Sequence, residues 1–124
     1  MFDAESADIR ARGPHAWEDP AMFQLTALYN HPQDAAAFDR HMDTVHIPLA
    51  SKMPGLRRYT ASRPGPDTDG NQPAYYLVAV LEWDDAGAFT AAVNSPEGQA
   101  ALADLPNFAG AGMTMLTGTA ESLV

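Results

Sequence analysis

A chain of 124 residues with 46% hydrophobic content and no cysteine suits one domain with a real core, and it excludes disulfides, thiolate catalysis and thiolate-bound metals. Seven cations stand against sixteen anions, a net charge of −9, and every Lys and Arg lies at or before Arg63, which argues against a nucleic-acid footprint or a polybasic membrane patch. No apolar run approaches the roughly 18 residues of a membrane span and Met1 to Pro20 lacks the apolar middle of a signal peptide, so a cytoplasmic protein without membrane contact is expected.

Residues 1–21 mix acids, arginines, Gly13, Pro14 and Pro20 without a usable period and read as an amino-terminal arm or surface-docked extension. One domain is expected over residues 22–120, and residues 121–124 are a tail. Met22 to Asn30 alternates as a strand does, with Phe23, Leu25, Ala27 and Tyr29 on a strongly apolar face and Gln24, Thr26 and Leu28 on a mixed one. His31-Pro32-Gln33 turns the chain, and Asp34 is a good N-cap for a helix.

From Asp34 to Leu49, read at about 100° per residue, Phe38, Met42, Val45 and Leu49 fall on one stripe that must lie on something apolar. His41 and His46 flank it. Five residues apart, they point about 140° away from each other and are not expected to act as a pair. His46, at the helix end just before Pro48, is the better candidate for a reactive histidine.

Lys52-Met53-Pro54-Gly55 breaks the helix, and Leu56 to Ser62 reads as a second strand carrying Arg57, Arg58 and Tyr59. Arg63 to Pro73, with three prolines and two glycines, is an exposed loop. Ala74 to Trp83 is the third strand, apolar on both faces, and a strand buried on both sides needs two covers. Asp84 or Asp85 caps a second helix with Phe89, Ala92 and Val93 inward. Ser95-Pro96-Glu97 restarts helix to about Leu105. Gly110 and Gly112 mark a turn before a last strand, Met113 to Gly118.

The order is βαββαβ, an α+β fold in which a four-stranded antiparallel sheet carries both helices on one face. The other face would expose Leu28, Tyr76, Val78 and Val80, with Met113 and Met115 at its margin. That is more contiguous apolar surface than a monomer usually tolerates. A two-fold axis reusing the patch on both subunits covers it, so a homodimer with paired sheets around a barrel-like interior is expected.

The run Phe38-Asp39-Arg40-His41-Met42-Asp43-Thr44-Val45-His46-Ile47-Pro48-Leu49 also carries a family resemblance. With Pro54-Gly55-Leu56, Tyr76-Leu77-Val78-Ala79, Ser95-Pro96-Glu97-Gly98-Gln99 and Asp104-Leu105-Pro106-Asn107-Phe108-Ala109, it resembles the EthD family of dimeric α+β barrels. The resemblance implies a ferredoxin-like subunit, a dimer, and a cavity between helices and sheet. It does not imply one reaction, because related barrels include isomerases, polyketide cyclases, monooxygenases and haem-degrading enzymes.

His46 matches the helix histidine of that family, and an imidazole can move a proton near neutral pH. Asp43, one turn earlier, is placed to orient the ring. The blander account is that His46 bonds a backbone carbonyl at the entry to Pro48, and that His41 is solvated or packed. Tyr59, Tyr75 and Tyr76 offer hydroxyls for a carbonyl or phenol, or pack with the hydroxyl at the rim. Gln24 and Thr26 suit either a cavity wall or a cross-strand hydrogen bond, and with Leu28, Tyr76, Val78 and Phe108 they make the expected substrate wall.

No metal and no cofactor site is expected. His41 and His46 lack the i, i+4 spacing of a helical ligand pair, and no glycine run forms a phosphate or dinucleotide loop. Two functions follow. One is a small cofactor-independent enzyme using His46, Tyr59 and Asp43 on a hydrophobic aromatic, polyketide-like or lactone substrate by isomerisation, cyclisation or oxygenation. The other is a non-catalytic carrier of a hydrophobic intermediate for an oxygenase or degradation pathway. A pocket of several hundred Å³ with convergent polar groups beside His46 is expected for either, and side chains filling that space would instead mark a purely structural module.

Overall fold

Strand β1, Phe23–Tyr29, takes the register its alternation predicts: Ala27 and Tyr29 are buried, while Gln24, Thr26 and Leu28 between them are only half-buried. The computed structural model describes residues 21–124, so the arm expected over residues 1–21 lies almost wholly outside the described residues. The remaining strands are β2 (Arg58–Ser62), β3 (Leu77–Trp83) and β4 (Met113–Thr119). They form one antiparallel sheet in the order β2-β3-β1-β4, the split arrangement of a ferredoxin-like fold. β3 starts later than the sequence suggests. Pro73 has no N–H for the ladder, and pairing is picked up only where the Tyr76 N–H reaches the Tyr29 carbonyl.

Leu77, Ala79, Leu81 and Trp83 alternate inward from β3 and pack with Ala27, Tyr29, Phe38 and Met42 into the core. Trp83 is fully buried, and its indole N–H donates to the Pro54 carbonyl at 3.1 Å, so its one polar atom is satisfied. Helices cover this face only. Asp34 caps α1 (Ala35–His41) by accepting the Ala37 N–H at 3.0 Å. Asp85 caps α3 (Ala86–Asn94), and Ser95 caps α4 (Pro96–Asp104), with Pro96 at its first position. Gly98 permits the tight α3–α4 junction, because a Cβ there would collide with the Ala92 carbonyl oxygen. Among the described residues no helix is long and apolar enough to cross a membrane.

The first helical segment departs from the α-helix that its sequence predicts. After α1 the chain makes a π turn, Met42–His46, closed by the Ile47 N–H on the Met42 carbonyl, before α2 (Ile47–Ala50). Pro48 supplies the reason: in a regular helix its ring would meet the carbonyl of Thr44, and widening the preceding turn relieves that contact. The extra residue shifts the inward frame. Phe38, Met42, His46 and Ala50 are buried where Val45 was expected, and Val45 is 37% exposed. The expected 140° separation of His41 and His46 is corrected by the same turn, since residues five apart in an i→i+5 turn lie on one side.

The uncovered face of the sheet carries Leu28, Val78, Val80 and Leu116, with Thr26 paired between Val80 and Leu116. Three residues expected there are not. Met113 and Met115 pair with Tyr29 and Ala27 and therefore point to the helix side. Tyr76 precedes β3 and meets Phe38 of α1 edge-on, ring centroids 5.4 Å apart. Leu116 takes their place and is 54% exposed.

Candidate active site

The last residue of α4 is a buried acid. Asp104 is 5% exposed, and a carboxylate taken from water needs donors from every side. Three residues supply them. His46 places Nδ1 3.0 Å from Oδ2, and His41 places Nε2 2.9 Å from Oδ1. Asn107, in the 3-10 turn that follows α4, donates its amide to Oδ1 at 3.0 Å. Burial alone would raise the Asp104 carboxyl. The hydrogen bonds from Asn107, His41 and His46 more than offset burial and hold it below the ordinary aspartate value.

Phe108 divides the two imidazoles. Its ring stacks on His41 at 5.0 Å between centroids and tilts against His46 at 4.7 Å. His46 is 5% exposed, and that burial pulls it below the ordinary histidine value against the opposing pull of Asp104. It is therefore neutral near pH 7. With an anionic carboxylate at Nδ1, the hydrogen-bond network assigns its proton to Nδ1 and leaves a lone pair on Nε2.

That lone pair belongs to a residue lining a cavity of about 50 Å³ between the sheet and the helices. Tyr29 and Tyr59 line the same cavity, and the rest of its wall is apolar apart from Gly98. Among the described residues neither phenol has a hydrogen-bond partner, and burial raises both, Tyr59 to about 12 and Tyr29 further still. Both therefore remain donors at any physiological pH. The expected several hundred Å³ beside His46 is corrected: the cavity has room for a few water molecules only, so a substrate enters only where lining side chains such as Met53, Leu102, Met113 and Met115 move. Leu102 and Met115 are also 38% and 41% exposed and mark its rim. Methionine is the most adaptable of core side chains, so this wall is the part best able to yield. A larger groove, about 720 Å³, lies on the other side of Phe108 and is lined by Arg40, His41, Thr44 and Asn107 among others.

His46 and Tyr59 line one cavity, Phe108 meets the His46 ring but lines the outer groove, and the other expected site residues line neither. Asp43 is corrected: it is exposed, and the acid on His46 is Asp104, 58 residues later. The π turn rotates His46 inward and leaves Asp43 facing water. Gln24, Thr26, Leu28 and Val78 lie on the uncovered face, with the sheet between them and His46. Gln24 there donates to Glu82 at 3.0 Å, a cross-strand bond rather than a site contact. The Tyr76 hydroxyl is 3.0 Å from both Asp39 oxygens, and the Arg63 guanidinium lies over its ring. Among the described residues no group of three His, Cys, Asp or Glu is arranged to hold a metal ion.

Asp104, His41, Asn107 and Tyr29 were not singled out as site residues from the sequence. Asp104, Asn107 and Phe108 stand together in the quoted Asp104 to Ala109 motif, which is the one signal that could have found them. Tyr29 was hidden among the apolar residues of its strand face.

The EthD domain family model matches residues 30–112. An uncharacterised 11.0 kDa protein from the thcB-thcC intergenic region of Rhodococcus erythropolis is 41% identical over 103 residues, covering 83% of this chain and 99% of that one. Among solved structures, an EthD family protein from Bacillus halodurans is 36% identical with a TM-score of 0.75, covering 82% of this chain and 99% of that one. A dimeric ferredoxin-like protein of unknown function from Thermobifida fusca is 20% identical with a TM-score of 0.61, covering 81% and 92% of the two chains.

Proposed function

The chain belongs to the EthD family, and from that premise we propose that it is a small enzyme abstracting a proton from a hydrophobic carbonyl substrate without a cofactor. One observation carries the reading: His46, Tyr29 and Tyr59 line one otherwise apolar cavity, and His46 Nε2 and the two hydroxyls have no protein partner among the described residues. Unsatisfied polar groups in an apolar site are costly, and they suit a ligand that supplies what they lack. A carbonyl oxygen is what two phenol donors can hold.

The chemistry follows from the protonation states. His46 Nε2 takes a proton from the carbon beside the carbonyl, and Asp104 steadies the imidazolium through Nδ1. The electron pair moves onto the oxygen as an enolate, where the Tyr29 and Tyr59 hydroxyls stabilise the developing charge. Return of the proton to another carbon is isomerisation, attack of the carbanion on a second carbonyl is cyclisation, and its capture by dioxygen is oxygenation. Polyketide-like substrates and lactones offer such a hydrogen, and so do aromatic substrates that carry an sp3 carbon beside a carbonyl.

A homodimer formed through Leu28, Val78, Val80 and Leu116 fits this reading, because it covers the face that the helices leave open and leaves the His46 cavity on the other side of the sheet. The enzyme reading is tested by deuterium exchange. A panel of hydrophobic ketones and lactones is incubated in heavy water and followed by NMR. The wild-type chain should accelerate exchange beside the carbonyl, and His46→Ala should lower that rate by about two to four orders of magnitude while binding is retained. Binding without any exchange would instead make the chain a carrier of such compounds.

A further inference from the structure

We infer that His41 is the solvent-side counterpart of His46: a positioning residue that gives up a proton to the outer groove when His46 gains one in the inner cavity, because the single Asp104 carboxylate between them balances only one imidazolium. The inference rests on His46 being the base of the proposed function.

The geometry separates the two rings by exposure while joining them through one anion. His41 has a side chain 25% exposed and lines the outer groove, whereas His46 has a side chain 7% exposed and lines the cavity. Both reach Asp104, and Phe108 fills the space between them. A second imidazolium beside the first would leave a net positive charge in a poorly hydrated place, where repulsion between charges is weakly screened.

Few other groups can intervene. α4 contributes only Asp104, β1 and β2 contribute the phenols of Tyr29 and Tyr59, and β4 presents methionines. On the first helical segment Asp43 is exposed, and Asp34 and Arg40, of opposite charge, line the groove with His41. Among the described residues Asp104 is the acid in contact with His46.

The step balances as follows. The substrate C–H bond breaks, its proton bonds to His46 Nε2, and the electron pair stays on the substrate as an enolate. His41, when it carries both ring protons, loses the one on Nδ1 to water in the groove and keeps its Nε2–H on Asp104. The His41, Asp104 and His46 cluster is neutral before and after. Protonation of the product reverses both movements. The substrate proton thereby changes hands inside the cavity while the net charge of the buried cluster stays constant.

The test is an NMR titration of the histidines in the ligand-free chain, independent of turnover. His41→Gln keeps an N–H on Asp104 but carries no proton. The His46 midpoint should then rise by about 0.5 to 1 pH unit, a gain of roughly three- to tenfold in proton affinity. An unchanged or lowered midpoint overturns the inference. Should His41→Gln fail to fold, the wild-type curves decide: a coupled pair of transitions supports the inference, and two independent single-site curves overturn it. If deuterium exchange depends on His46 while the midpoints are uncoupled, this inference alone fails. If the midpoints are coupled but no exchange depends on His46, the proton link stands and the enzyme reading fails.

Discussion

Nδ1 of His46 and Oδ2 of Asp104 lie 3.0 Å apart, both side chains are buried, and the two residues are 58 positions apart in the chain. Asp104→Asn preserves the shape of this contact but removes the charge, and its amide can present N–H where the acid accepted one. The imidazole then loses its reason to keep the proton on Nδ1. Exchange of a substrate hydrogen should fall by roughly 10- to 100-fold. In the same variant, the His46 nitrogen shifts should report a changed tautomer mixture, and an unchanged mixture would contradict the assignment.

Acid should weaken the fold through the same two groups. Asp104 is held below its ordinary value when folded, so its contribution is present above about pH 4 and is lost as pH falls through the lowered value. His46 is also lowered when folded. The unfolded chain therefore binds its proton first, and stability declines as pH falls from about 6.5 toward the folded value. Urea midpoints measured from pH 7.5 down to about pH 2.5 should fall in both windows. His46→Gln should flatten the upper one and leave the lower.

Tyr29 and Tyr59 should show function and stability moving in opposite directions. Tyr29→Phe removes a buried hydroxyl with no partner among the described residues, so the melting temperature should stay level or rise, by the equivalent of up to about 1 kcal/mol. Tyr59→Phe should behave alike. Each should slow exchange by about tenfold to a thousandfold if its hydroxyl holds the enolate oxygen. A large loss of stability would mean that the hydroxyl is already satisfied.

Leu116→Asp should leave the protomer folded and separate the dimer. Leu116 is 54% exposed and adjoins Leu28, Val78 and Val80 on the uncovered face, where a carboxylate meets water in the monomer and would be buried in a sheet-to-sheet pair. Sedimentation equilibrium should show the wild type as a dimer and this variant as a monomer. A monomeric wild type at micromolar concentration would refute the paired-sheet arrangement.

Strands and caps were legible because their signals are local. The β1 and β3 alternations, the Asp34, Asp85 and Ser95 caps, and the order of elements all stand as the sequence suggests. Faces are less legible: in β4, Met113 and Met115 are as apolar as Leu116, and only the register with Tyr29 and Ala27 tells the two sides apart. The site was half visible. His46 and Tyr59 stand out by residue type, but Asp104 is joined to them only by α4 folding across the sheet, a relation no local pattern contains. Helical spacing puts Asp43 one turn from His46, but that spacing does not hold across the π turn.

The π turn changes which histidine spacings count as neighbours. On an ordinary helix, imidazoles four positions apart share a side and those five apart do not. One inserted residue, accommodated ahead of Pro48, makes five the matching interval, so a search for paired histidines at the usual distance would pass over this chain. Wherever a proline follows a suspected helical pair within a turn, the count should be tried with one residue added before the pair is dismissed.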